Sequence, residues 1–184
     1  MSKDQEEIDF GLDNYMAELD DDLSFVDVGI LSKDGAKKHG PTSDGKQSDI
    51  TMAELATIQE FGTVINVTPK MRKFLSATGL NLSPETKVIT IPSRPFMRQT
   101  FDEQESELGA MAEKLDRDIL TKQTSRRAAL NQLGQSHRQE IQKNMSTSGK
   151  FKANHPYTVA RKKGKSMPLI DSGAMRQAID FEVG

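Results

Sequence analysis

The stretch TKVITIPSRPFMRQTF, residues 86–101, decides the fold. Its first six residues are β-branched at all but Lys87 (Thr86, Val88, Ile89, Thr90 and Ile91), a composition typical of strands. Pro92 and Pro95 then lock φ and push the residue before each toward extended backbone, so the chain leaves the strand through a stiff corner. From Pro95 onward the pattern is helical. The corner also fixes the stems of Arg94 and Arg98, from which either can reach a carboxylate, Glu60 or Asp171.

Downstream, Phe101, Leu108, Met111, Leu115 and Ile119 recur at helical spacing. A polar break at 121–125 ends that stripe, with Ser125 placed to cap a second helix bearing Ala129, Leu130, Leu133, His137, Ile141 and Met145. A basic, Gly-containing loop is expected over 146–167, a turn and short helix over 168–177, and a closing strand over 178–183 (AIDFEV). Upstream, 63–68 (TVINVT) reads as a strand. Residues 50–61 read as a helix with Thr51 and Glu54 in a capping box, Phe61 as a core anchor, and Gly62 as the stop. Residues 69–85 form a long connection with a helical turn around Met71 to Leu75. Residues 25–31 read as a strand, and the Gly-, Lys- and Ser-rich 32–49 as a long loop. Ile8, Leu12, Tyr15, Met16 and Leu19 mark an amphipathic, acidic helix over 4–20. The expected fold is therefore α+β: a small antiparallel sheet packed by two long helices, with long loops and an acidic N-terminal helix. Residues 1–24 form an acidic arm and 25–184 a single domain.

Hydrophobic residues make up 35% of the 184, with no Trp, which is lean for a core of this size. Such a chain carries disordered segments or completes its core against other subunits. It has no Cys, so disulfide and thiolate chemistry are excluded. No run approaches the ~20 apolar residues of a membrane span, and the acidic start lacks a signal-peptide layout, so synthesis in the cytoplasm is expected. A net charge of −2 hides an asymmetry: residues 1–24 hold nine acids and one Lys, whereas 114–165 hold thirteen Lys and Arg against three acids. Opposite patches of this kind suit solvated faces, neighbouring subunits or nucleic-acid phosphates.

The three histidines, His39, His137 and His155, lack the spacing of metal ligands, and His137 falls on an apolar helical stripe. Asp20, Asp21 and Asp22 lack the Gly and distal Glu of a calcium loop, and Asp44-Gly45-Lys46 lacks the rest of a phosphate loop. Leu169-Ile170-Asp171-Ser172-Gly173 matches the aspartic-protease pattern. Long helices precede it, however, where a retroviral-type protease has its Asp near the start of an all-β barrel. Asp171 or Ser172 is better read as the cap of a helix starting at Gly173 and Ala174. Cations cluster at Lys37, Lys38 and Lys46, and again at Lys150, Lys152, Arg161, Lys162, Lys163 and Lys165, the latter beside Phe151, His155 and Tyr157. These are the candidate interface or DNA-facing residues. No catalytic, cofactor-binding or metal residues are expected.

Three blocks together resemble the HK97-gp10-like, virion-morphogenesis group of phage neck and tail-completion proteins. The first runs from Ala53-Glu54-Leu55-Ala56 to Glu60-Phe61-Gly62-Thr63. The second is Ile91-Pro92-Ser93-Arg94-Pro95-Phe96-Met97-Arg98. The third joins Pro156-Tyr157-Thr158-Val159-Ala160-Arg161-Lys162-Lys163-Gly164 to Pro168-Leu169-Ile170-Asp171-Ser172-Gly173-Ala174-Met175-Arg176. Their order and spacing agree over roughly residues 25–184, while the acidic segment 1–24 and the connection 69–85 lie outside the pattern. The resemblance implies a non-enzymatic virion component of the head–tail connector, a homo-oligomeric ring of six copies or alternatively twelve. Its implied partners are a head-side connector or adaptor, tail tube or tail terminator proteins, and genomic DNA in the channel. Non-specific DNA binding through the basic loop 150–165 is the alternative reading.

Overall fold

The computed structural model describes residues 25–40, 48–162 and 165–184. The acidic helix expected over 4–20 lies outside them, as do Lys46 and Lys163. Strand β1 (Val26–Gly29) leads to a short helix α1 (Ser32–Gly35) and then α2 (Met52–Phe61). β2 (Thr63–Asn66), α3 (Pro69–Ala77) and β3 (Val88–Ile91) follow, then the long helices α4 (Arg98–Leu120) and α5 (Arg126–Met145). Two short helices, α6 (Pro156–Arg161) and α7 (Ala174–Gln177), precede β4 (Asp180–Val183).

The fold is α+β, as the corner at residues 92–95 implied, but the strands form two separate antiparallel pairs, β1–β4 and β2–β3. Val26 sits opposite Val183, and Thr63 opposite Ile91. β1 and β4 lie across α5. The helix admits them because residue 134 is Gly: a Cβ there would stand 2.4 Å from Cδ2 of Phe181 and 2.8 Å from Cγ2 of Val26. α4 and α5 pack along each other, with a loop at 121–124 between them and Ser125 Oγ accepting the N–H of Ala128 at 3.3 Å. The expected helix pair and its capping residue are therefore both present.

The main core joins Met52 and Ala56 of α2 to Phe96, to Ile141 and Met145 of α5, and to Leu169, Met175, Ala178 and Ile179 near the C-terminus. A smaller apolar cluster, Leu115, Ile119 and Ala129, closes the far end of the long helices. Between the two, the α4–α5 interface is polar. Asn144 Nδ2 donates to Thr100 Oγ1 at 2.8 Å, and Thr100 Oγ1 donates to the carbonyl of Phe96 at 2.6 Å. His137 Nδ1 meets Gln104 Oε1 at 3.1 Å. Among the described residues each buried side-chain nitrogen or oxygen has a partner, which is what makes its burial tolerable.

This corrects the expected stripe on α4. Phe101 is half exposed, and the buried face instead begins with Thr100 and Gln104. Phe101 lies at the rim, edge-on to the His137 ring at 5.9 Å. The loops are also more structured than expected. Residues 69–77 form all of α3, with Thr68 accepting the N–H of Met71 at 3.1 Å. The segment 32–49 contains α1 and a bridge from Lys38 to Thr51, and the basic loop contains α6.

Candidate functional site

The sequence blocks at 53–63 and 91–98 meet at one junction, joined there by residues 152–154. α2 forms where expected, its start held by the capping box: Glu54 N–H donates to Thr51 Oγ1 at 3.2 Å, and Thr51 N–H to Glu54 Oε2 at 2.8 Å. The Thr51 N–H, and after it the Thr51 hydroxyl donating to Glu54 Oε2 at 3.0 Å, hold the Glu54 carboxyl below its usual range. At the other end Gly62 has φ of +72°, and a Cβ on it would lie 2.7 Å from both the Ile91 carbonyl and the Ser93 N–H. Only glycine takes that conformation cheaply and lets β3 cross so closely.

Glu60, the penultimate residue of α2, is only 5% exposed. Its Oε2 accepts the N–H of Met97 at 3.0 Å, and its Oε1 accepts the N–H of Arg98 at 3.1 Å. These are orphan donors at the start of α4, which has no cap of its own among neighbouring side chains. A carboxylate from another helix thus caps a 23-residue helix and sits against the positive end of its dipole. Arg98 Nε adds a third bond to Oε1 at 3.1 Å, and its guanidinium lies 4.7 Å over the Phe61 ring. The expected Arg98–carboxylate pair exists, with Glu60 as the partner.

Phe61 is corrected: it is 61% exposed and anchors no core. The anchor is Phe96, completely buried between the two prolines' corner and α5. Arg94 is also buried, but it pairs with neutral acceptors and with no carboxylate among the described residues. Its Nη1 donates to Gln59 Oε1 at 2.6 Å, Nε to the Lys152 carbonyl at 2.8 Å, and Nη2 to Asn154 Oδ1 at 3.1 Å. Burial pushes its guanidinium below the ordinary value. Arg94 therefore staples α2, the 91–98 corner and the segment before α6.

The second half of the third block, residues 168–176, behaves as a turn. Leu169 and Met175 are core residues, and Gly173, at φ +87°, holds the cap position of α7. Ser172 Oγ accepts the N–H of Ala174 at 3.2 Å from one residue outside the cap, so the expected side-chain cap is replaced by Gly173. Asp171 does not cap. It is exposed, and Lys165 Nζ donates to its backbone carbonyl at 2.8 Å. A carboxylic acid sharing a proton with a second one in a closed site has a different setting.

The cations are largely committed within the subunit. Lys37 is paired with Asp34, Lys38 with Asp49 at 3.4 Å, and Lys150 with Glu103. Lys150, followed by Gln99, holds the Glu103 carboxyl below its usual range, and Lys37 does the same for Asp34. Lys162 Nζ donates to the Met167 carbonyl at 2.7 Å. Burial pushes the Lys162 amine down, Asp171 opposes this, and Arg94 and Lys165 add to it. Arg161 lies 5.7 Å over the Tyr157 ring, whose hydroxyl bonds Thr78 Oγ1 at 2.6 Å. Lys152 is exposed. A cleft of about 180 Å³ beside α6 is lined by Lys162, Asp171, Thr158 and Asn154, and a second of about 460 Å³ by Arg94, Lys152 and Ile89. Both are shallow. Among the described residues no group of His, Asp and Glu is arranged to hold a metal ion, and no helix is long and apolar enough to cross a membrane.

Sequence reasoning missed one further feature. From residue 61 to residue 93, through β2, α3 and β3, no residue is buried. Phe61, Val64, Phe74 and Val88 all stand exposed along this arm. Inside it Arg72 donates to the carbonyls of Leu82, Ser83 and Thr86 at 3.2, 2.7 and 2.6 Å, so it is braced although it lacks a core. The signal that could have found it was the run of polar and Gly/Pro residues separating its strands. In comparisons with known proteins, no family model, no curated protein and no solved structure matches the chain.

Proposed function

We propose that this chain is a structural subunit of the head–tail connector of a tailed bacteriophage, a neck or tail-completion component that assembles into a closed ring. The observation that carries the reading is the arm. A two-stranded ribbon with neither face buried is marginal in water, and adding a helix with an exposed Phe does not close a core. An arm of this kind gains its missing apolar contacts from another subunit. The resemblance of the three blocks supplies the class of assembly, and the convergence of the first two on one capped, stapled junction supports reading them as scaffold and not as a catalytic constellation.

A ring of six copies is the preferred form and twelve the alternative, since a head-to-tail contact closes only under rotational symmetry. In this reading the subunit is not an enzyme, and it resides in the virion between head and tail. A head-side adaptor and tail tube or terminator proteins lie above and below it, and DNA passes non-specifically through the channel. The ion pair of Lys150 with Glu103, and the bonds of Lys162 and Lys165 to backbone carbonyls, support protein assembly over free DNA binding. The test is the mass and symmetry of the purified protein by native mass spectrometry and negative-stain imaging. A closed ring of defined copy number is expected. A monodisperse monomer at high concentration that binds DNA tightly and with strong salt dependence would overturn the reading in favour of a free DNA-binding protein.

A further inference from the structure

The arm and the outer face of α4 carry opposite charge. On α3, Lys70, Lys73, Phe74 and Ala77 are exposed and recur at helical spacing, and Lys87 stands exposed at the entry to β3. None of the three lysines has an ion-pair partner among the described residues. On α4, Asp102, Glu105, Gly109, Glu113, Asp116 and Leu120 form one exposed stripe opposite the buried face of Thr100, Gln104, Leu115 and Ile119. Its four acids likewise have no ion-pair partner among the described residues, and around Gly109 a Cβ would meet nothing within 4 Å. Leu120 ends the stripe half exposed, and Arg117 borders it. Each surface thus pairs unsatisfied charge with exposed apolar area, in opposite sign. No ion pair joins the arm to α4 within the subunit among the described residues.

We propose that the basic outer face of α3 docks on the acidic outer stripe of α4 in a second copy of this chain. This rests on the ring reading above and specifies its interface. The two patches differ, so the contact is heterologous, the type that generates rings when the rotation closes. Apolar burial of Phe74 and Leu120 supplies affinity, while the charges set register and exclude wrong pairings.

Charge exchange tests it. The double variant Lys70→Glu with Lys73→Glu alters only exposed side chains, as does Glu105→Lys with Glu113→Lys. Circular dichroism should show both folded. Each set alone should raise the protein concentration needed for assembly about tenfold or more, as like charges meet across the interface, and combining the two sets in one chain should restore assembly. Because the chain has no Cys, the pair Lys73→Cys and Glu105→Cys reports contact directly, and an intermolecular disulfide ladder under non-reducing conditions is expected. Normal ring formation by both charge-reversed variants, with no ladder from the cysteine variant, would overturn this interface while leaving the ring reading intact. A wild-type chain that never self-associates would overturn both.

Discussion

Removing the Glu60 carboxylate isolates the contribution of the inter-helix cap. Its two oxygens accept the Met97 and Arg98 N–H groups at 3.0 and 3.1 Å, and the side chain is almost fully enclosed. Loss of an N-cap costs about 1 kcal/mol. Loss of a carboxylate at a helix N-terminus removes about 0.5–1 kcal/mol of dipole interaction. Glu60→Ala should therefore destabilise the subunit by about 2 kcal/mol, which for a chain of this length lowers Tm by roughly 6 °C. Glu60→Gln keeps one acceptor but turns an NH2 toward a donor, and should cost about half as much. Arg98→Ala removes only a mostly exposed ion pair and its stacking on Phe61, about 0.5–1 kcal/mol. The assay is thermal and urea unfolding followed by helical circular dichroism, at fixed protein concentration because assembly adds its own stabilisation. A Glu60→Ala variant no less stable than Arg98→Ala would refute the reasoning, since ion pairing alone would then account for Glu60.

Three further outcomes follow from the packing and the polar interface. Gly134→Ala normally favours a helix by about 1 kcal/mol. Here the Cβ collides with Phe181 and Val26, so a net loss of about 1–2 kcal/mol in urea unfolding is expected. Arg94→Met should cost about 3 kcal/mol, because Gln59, Asn154 and the Lys152 carbonyl lose their donor in an enclosed site; Arg94→Lys, with one compact donor group, should recover part of it. Burial lowers the pKa of His137, so the unfolded chain binds this proton more readily than the folded one. The contribution of His137 to stability is thus fully present above its unfolded value of about 6.5 and is lost as pH falls below it. His137→Gln should flatten the unfolding midpoint against pH between about 7 and 5 relative to wild type; an unchanged slope would count against a neutral, half-buried imidazole.

Local signals in the chain settled a good deal. Thr51 with Glu54, Ser125, Gly62 and the two prolines at 92 and 95 act through hydrogen bonds and dihedral limits a few residues wide, and each ends or starts an element where the sequence placed it. Periodicity likewise separated the long helices and marked Leu115, Ile119, Ala129, Ile141 and Met145 as inward-facing, because a helix face is defined by its own spacing. The stiff corner marked Arg94 and Arg98 as cations within reach of Glu60 or Asp171; the fold chose Arg98 with Glu60 and gave Arg94 neutral acceptors.

Contacts distant in sequence were decided by the tertiary structure alone. Whether four strands make one sheet or two depends on which edges meet, and β1 found the last strand of the chain while β2 paired with β3. Phe61 and Phe101 carry apolar side chains at positions where the spacing implied burial, yet their neighbours are Arg98 and His137 at the rim. Thr100 and Asn144 are buried because each supplies the other's missing partner. The pairing of Lys150 was equally invisible, since it finds Glu103, 47 positions away, only after the chain has folded back. A sequence states what each residue can bond; which partner comes within 3 Å is a property of the whole fold.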